Sequence, residues 1–445
     1  MKHKIPRFFI GLWAFLFPLI SLSSLNAQEK IDLNRSVFRA LEKNNLIRIS
    51  DLSVSIAQKK VQESKSQYWP SLQLSSTYTR VGRIPSFTIP MGKKEQTFQL
   101  GTHNRINAGV ELKLPLFTWG RIKGSVELSE SGKKLSQIEK KQKIIEIKKN
   151  VLRSFYSAVL SKEMMELEKE SVSRARRLFT ISKKRFEAGN IPRLELLRTK
   201  VQLKNAQSQH EEAQKNLHQS KILLGKTIEM EPKDFIIEGT LHFEPLSVDS
   251  SQLIEKAYKN RKDIQILEVQ KRMKENQIHI AKSGNKPNVF LFSSYSVATG
   301  FDPINPDKLV GNWNAGIQVA APFFDGFASK YRATQNQLQL KKSQLQKKEM
   351  KEVIRMEVRQ AVVELKKAED KIHSLQENIK LARETLRVAM DQYEKGVASS
   401  LDVLNAQKTL NQTERLVKKA LFSHIRAKLD LCQAIEDYSW FDLEY

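Results

Sequence analysis

Two periodicities alternate along the chain. In Ser71-Leu72-Gln73-Leu74-Ser75-Ser76-Thr77-Tyr78-Thr79 apolar residues alternate with small polar ones, and Val110-Glu111-Leu112-Lys113-Leu114 does the same. Period two places the apolar set on one face of a strand, as in a half-buried sheet or the wall of a membrane barrel. Ile317-Gln318-Val319 repeats the pattern, whereas Phe290 and Phe292 blur it between Val289 and Val297. Pro70, Pro115, Pro287 and Pro322 punctuate the strand ends, where a missing amide donor is tolerated. The second period is seven. Ile144, Val151, Ala158, Met165, Val172, Phe179 and Phe186 follow it, as do Val358, Leu365, Ile372, Ile379, Leu386 and Tyr393. Residues 133–188 and 327–395 contain neither Gly nor Pro, which predicts unbroken helices of about 84 and about 104 Å. Such a repeat over such a length makes a left-handed supercoiled seam.

The whole pattern occurs twice. Arg185-Phe186-Glu187-Ala188-Gly189, followed by Leu194-Glu195-Leu196-Leu197, returns 207 residues later as Gln392-Tyr393-Glu394-Lys395-Gly396, followed by Leu401-Asp402-Val403-Leu404. Asn107-Ala108-Gly109 and Pro115-Leu116-Phe117 return at the same offset as Asn314-Ala315-Gly316 and Pro322-Phe323-Phe324. Ile31-Asp32, Ala40, Pro70 and Tyr78 match Val248-Asp249, Ala257, Pro287 and Tyr295 at an offset of 217, so the intervening loop is ten residues shorter in the second copy. Fixed-offset similarity means two copies of one elongated unit. The expected organisation is a signal peptide over 1–27 and a first repeat over 28–225 that reads helix, strand pair, long helix, return helix. A linker over 226–247 and a second repeat with its tail over 248–445 follow. Residues 81–104 and 299–311, rich in Gly, Pro and charge, are expected to be loops.

Four strands cannot close a barrel, since roughly eight is the smallest spanning number. Open edges in lipid would leave backbone groups unpaired, so strands of this kind in a membrane require several copies of the chain. Trp69, Phe117, Trp119, Phe324 and Phe327 crowd the helix side of the strands, as an aromatic girdle at one bilayer surface would.

Composition narrows the function. Lys2, Lys4 and Arg7 precede an apolar run from Phe8 to Ile20 that ends in Leu25-Asn26-Ala27, the form of a secretory signal peptide too short to span a bilayer. The formal charge of +26 becomes +23 without those three cations. The basic residues sit on long helical stretches among Glu and Gln without stacking aromatics, which indicates solvated faces or an anionic partner and no nucleic acid. Cys432 is the only cysteine, so no intrachain disulfide is possible. The eight His are scattered, no His-Glu-x-x-His pair or Cys-pair ligand set occurs, and Leu224-Gly225-Lys226 lacks the glycine that opens a phosphate loop. No catalytic residue, metal ligand or cofactor is expected.

Gly189 and Gly396 end the long helices, where a left-handed residue is favoured, and shorter helices follow at once. Pro192 suits a first helical turn, and Ser399 or Ser400 can cap the next helix. Glu195 and Asp402 fall in that first turn, where the helix dipole alone accounts for a carboxylate and a functional role accounts for it equally.

The tandem units, the strand exits Pro115-Leu116-Phe117 and Pro322-Phe323-Phe324, and the tip sequences 186–197 and 393–404 with Asn405-Ala406-Gln407 resemble the TolC-like outer membrane efflux proteins. The resemblance covers about residues 30–435. It implies a mainly α chain with a transmembrane β portion: a tandem-duplicated protomer of a trimeric twelve-stranded β-barrel, continued by a long α-helical coiled-coil barrel. It places the homotrimer in outer membrane lipid with a large periplasmic extension, docked on a periplasmic adaptor protein and an inner-membrane transporter. Such a channel is a passive exit duct of an efflux or type I secretion system, gated at its helix tips. By position, Asp402 matches an acidic residue of the pore constriction and Tyr393 a gating tyrosine. Asn405 stands as a neutral replacement at the next acidic position, and Glu195 is the first-copy counterpart of Asp402. Ala398 stands where a basic partner is expected. The bends at Gly189 and Gly396, with Leu194, Leu197, Leu401 and Leu404, are the expected adaptor contact, and Pro115, Phe117, Pro322 and Phe324 the strand exits. A periplasmic adaptor also carries a signal and a long hairpin, but would have one hairpin and a compact β module. An exported structural coiled coil would not need proline-bounded amphipathic strands.

Overall fold

The computed structural model describes residues 29–443 except Leu100, Pro303 and Ile304; the expected signal peptide lies outside the described residues. In chain order the elements are β1 (Glu29–Ile31), α1 (Leu33–Lys43), α2 (Asn45–Ser66), β2 (Ser71–Arg80), β3 (Ser86–Met91), β4 (Lys94–Gln99) and β5 (Asn104–Phe117). Then come α3 (Arg121–Glu187), α4 (Arg193–Ile228), β6 (Phe235–Ile237), α5 (Ser250–Asn260), α6 (Lys262–Lys282), β7 (Asn288–Ala298) and β8 (Val310–Ala320). The chain closes with α7 (Ala328–Glu394), α8 (Ser400–Ile435) and a 3-10 turn (Ser439–Phe441). The duplication is visible in the element lengths: α3 and α7 have 67 residues each, α4 and α8 have 36, and α1 and α5 have 11. Helix α3 starts ahead of the glycine-free stretch and runs through Gly124 and Gly132. Gly124 is packed: a Cβ there would come within 3.0 Å of Ile280 on α6.

Strands β2, β5, β7 and β8 form one antiparallel sheet in the order β2-β5-β7-β8, which leaves β2 and β8 as free edges. Its register decides what alternation alone could not. Leu74 faces Val110, Val110 faces Tyr295, and Tyr295 faces Trp313, so the four strands contribute one apolar row. The next row on the other face is Gln73, Glu111, Ser294 and Asn314. The apolar face covers no core: Leu74 is 78% exposed and Trp313 72%. Phe290 and Phe292, which blur the alternation of β7, lie on the polar face. The Phe292 ring occupies the space over Gly316, where a Cβ would meet it at 3.1 Å, and the Lys113 ammonium sits 4.5 Å above the Phe290 ring. Pro115 lies inside β5 rather than at its end, at a bulge where the β5–β7 register shifts between Pro115 and Phe117. Residues 81–104, expected as loop, contain the hairpin β3–β4, held by a Thr88–Thr97 hydroxyl pair at 3.1 Å and stacked Phe87 and Phe98 rings. Among the described residues no helix is long and apolar enough to cross a membrane.

Below the sheet the helices form a single layer, α2 on α3, α3 on α6 and α6 on α7. Farther from the sheet α4 packs along α3 and α8 along α7 as two hairpins. The parallel pair β1–β6, with α1 and α5, lies over the middle of these rods. There the main core gathers Phe155, Val159, Leu152, Leu224, Phe235 and Leu429. Cys432 is buried in it, and burial pushes its thiol pKa up to about 12, so it stays protonated and inert. The seven-residue seam holds in α7, where Val358, Leu365, Ile372, Leu386 and Tyr393 are buried. In α3 it holds at Val151 and Ala158 and then slips by one residue: Ser171, Ala175, Leu178 and Ser182 are buried, whereas Phe186 is exposed. A straight 3.6-residue helix drifts about 20° per heptad against a seven-residue repeat. On α3 small and polar residues therefore carry the lower seam.

Candidate functional site at the helix tips

Both long helices end in the same backbone device. The Asn190 amide donates to the Arg185 carbonyl at 2.8 Å and the Gly189 amide to Phe186 at 2.9 Å. Val397 donates to Gln392 at 2.9 Å and Gly396 to Tyr393 at 3.1 Å. This double closure requires a left-handed residue, and Gly189 (φ 75°) and Gly396 (φ 83°) supply it. The helices then restart differently. Ser399 caps α8: its hydroxyl accepts from the Asp402 amide, while the Asp402 carboxylate accepts from the Ser399 amide at 3.0 Å and hydroxyl at 2.7 Å. These bonds, the hydroxyl first, hold the Asp402 pKa below its ordinary value. In the first copy Pro192 occupies the capping position and offers neither amide hydrogen nor hydroxyl. Glu195, at the place of Asp402, therefore has no box to close, and its Oε2 is shielded without a hydrogen-bond partner. Pro192 is thus the residue before the first turn, one position earlier than expected.

Tyr393 is fully buried. Its hydroxyl is hydrogen-bonded to Ser182 Oγ at 2.8 Å, its carbonyl accepts from Arg185 Nη1 at 2.5 Å, and the guanidinium lies 4.8 Å from its ring centroid. Next to it Arg177 pairs with Glu394 at 3.0 Å. Tyr393 thus packs between α3 and α7 and joins the two hairpins of the chain. Asn405 and Leu401 are exposed, as are Leu194 and Leu197. Leu404 differs: it is half-buried against the tip cluster of Val403, Leu410 and Leu386. At the other end of the rods Phe117 stacks edge-on with Trp119 at 5.0 Å, and Phe324 with Phe327 at 5.5 Å. Pro322 follows β8 there, and Phe117 and Phe324 are more than half exposed.

Above Tyr393 the contact between hairpins is polar. Arg174 donates to Asn411 at 2.7 Å and Glu414 at 2.9 Å, and Asn411 donates to Ser171 at 2.8 Å. Arg415 bonds Glu168 at 2.6 Å, and Lys418 pairs with Glu163 at 2.8 Å. Asn411, Glu414, Glu168 and Glu163 are all buried, so each charge depends on its partner. The ladder joins residues more than 230 positions apart. Its trace in the sequence is the polar content of the α3 stripe at Glu163, Glu168, Ser171 and Arg174.

The sequence matches the Outer membrane efflux protein family over residues 37–228 and 253–435. Nodulation protein T of Rhizobium leguminosarum bv. trifolii is 24% identical over 420 residues, covering 88% of this chain and 81% of that protein. Among solved structures, CusC superposes with a TM-score of 0.76 at 17% identity, over 92% of this chain and 94% of that one. VceC of Vibrio cholerae, an outer membrane protein, gives 0.73 at 17% identity over 91% and 96%.

Proposed function

The chain belongs to the outer membrane efflux protein family, and we propose that it is the exit duct of a tripartite efflux or secretion assembly, a homotrimer gated at its helix tips. One observation carries the closed ring of copies: the sheet and the helical layer are open on the same two sides. Strands β2 and β8 are the unpaired edges of the sheet, and α2 and α7, which adjoin them in the chain, are the edges of the helical layer. Leu46, Ile49, Leu52 and Ile56 make an exposed apolar stripe on α2, and Tyr331, Leu338 and Leu345 make another on α7. Rotating copies that seat α7 and β8 of one protomer on α2 and β2 of the next close both rings, and a barrel removes every strand edge from lipid. Three copies give twelve strands and twelve wall helices, within the size range of membrane barrels. The apolar face of the sheet meets lipid and the polar face lines water.

Such a duct performs no covalent chemistry. Solutes move passively, and the energy comes from an inner-membrane transporter coupled through a periplasmic adaptor. Opening separates the α7–α8 hairpin from α3 at the Tyr393 seam and the polar ladder above it. An adaptor opens the tip to the extent that it binds the open packing better than the closed one. Exposed Leu194, Leu197 and Leu401 are the apolar contacts it meets. The test is membrane fractionation with unheated and heated gel migration. Detergent-resistant trimers in the outer membrane are expected; a monomer in the soluble periplasmic fraction refutes the reading.

A further inference from the structure

The excess positive charge is concentrated. Helix α2, residues 121–150 of α3, helix α6 and residues 328–351 of α7 form the part of the wall next to the sheet, and hold 25 Lys and Arg against 10 Asp and Glu. In α7 the change is abrupt: residues 328–348 contain six basic residues and no carboxylate, whereas residues 352–394 contain eight basic and nine acidic ones. Ser329, Ala333, Ser343 and Lys347 turn toward α6, and Lys347 pairs there with Glu268 at 2.5 Å. Arg332, Lys341, Lys342 and Lys348 are exposed, and among the described residues no carboxylate lies within salt-bridge distance of them. At 100° per residue Lys341 and Lys348 fall on one flank of the α6-facing row, and Lys342 and Arg332 on the other. The back of the helix is the Tyr331, Leu338 and Leu345 stripe. Whichever flank meets the lumen, it is basic.

Resting on the exit-duct reading above, we infer that this membrane-proximal collar makes the conduit anion-selective. The α7 segment alone extends about 31 Å along the axis and is present three times in the trimer. The wall is one helix thick, roughly 10 Å, and the Debye length is about 8 Å at physiological salt, so the flank that faces the water inside acts on it directly while the outer flank is largely screened. A low-dielectric wall bearing one sign of charge concentrates the opposite ion in the channel it encloses. A collar potential of about one kT would favour chloride over potassium by roughly sevenfold.

The purified trimer, alone and with Tyr393→Phe to loosen the tip, is inserted into planar bilayers under a tenfold KCl gradient. The reversal potential is expected on the chloride side, more strongly at low salt. The fourfold variant R332Q/K341Q/K342Q/K348Q, all exposed positions, lowers the collar's net charge by about a quarter and is expected to keep the trimer and shift the reversal potential measurably toward zero. Potassium preference in the wild type, or an unchanged reversal potential in the fourfold variant, overturns the collar and leaves the duct standing. Protein that forms no detergent-resistant trimer to insert overturns both, because the duct reading falls with it.

Discussion

Replacing Tyr393 by Phe removes one hydroxyl and leaves the Ser182 hydroxyl buried with its partner gone. The bond itself contributes about 1 kcal/mol net, and the stranded hydroxyl costs roughly another 1 kcal/mol as long as the seam stays closed. Opening the seam lets water reach Ser182, so the penalty falls on the closed state alone. In a trimer whose tips open together the three copies sum to about 6 kcal/mol, which shifts the closed-to-open ratio by roughly four decades. Single-channel recording of purified trimers reads this as open probability. The cycle has an internal control, because Tyr393→Phe with Ser182→Ala removes both polar groups and should recover part of the closed population. Arg185, which bonds the Tyr393 carbonyl and stacks on its ring, stays in place in both variants. An open probability unchanged in Tyr393→Phe would show that the seam is not the latch. A double variant at least as leaky as the single one would show that the stranded hydroxyl plays no part.

Arg174→Ala removes the bonds to Asn411 and Glu414 and leaves Glu414 only the more distant Arg383 at 3.7 Å. A loss of about 3 kcal/mol is expected, read as a lower unfolding midpoint and faster proteolysis of the α7–α8 hairpin. Asp402→Ala is expected to change ion selectivity or block by divalent cations while the trimer persists; conductance and selectivity identical to wild type would remove it from the gate. Because the folded pKa of Asp402 lies below 3.8, its capping box is complete above that value and is lost as pH falls through the depressed one. Amide protection in the first turn of α8 should therefore be full at neutral pH and decline as pH falls through the depressed carboxyl pKa. Leu401→Glu should weaken adaptor capture in a pull-down with the tip intact, whereas Leu404→Glu should disturb the tip itself, because Leu404 packs on Val403 and Leu410.

The repeat, the two long rods, the glycine bends and the amphipathic strands are all legible in the residues, because each rests on local physics. Glycine alone is comfortable at the left-handed bends, a period of two marks a half-exposed strand, and a fixed offset exposes a duplication. The one-residue slip of the α3 seam is not legible, since the apolar spacing Val172-Phe179-Phe186 continues across it while burial moves to Ser171, Leu178 and Ser182. Nor is the β3–β4 hairpin, whose Gly- and charge-rich sequence looks like loop. The two copies also share their spacing at the tips, yet only the structure separates a closed Ser399–Asp402 box from an unpartnered Glu195.

What the sequence by itself determined is the inventory: two equal units, strands with one apolar face, rods too long for a globular core and a surplus of positive charge. Tertiary structure alone decided which strands are edges, that the apolar rows line up across β2, β5, β7 and β8, and that Tyr393 turns inward to Ser182. The division has a physical cause. Periodicity and backbone preference act within a few residues, whereas the β5–β7 register joins positions more than 170 residues apart and the buried hydrogen bonds and ion pairs between hairpins more than 200, and only packing of the whole chain fixes them.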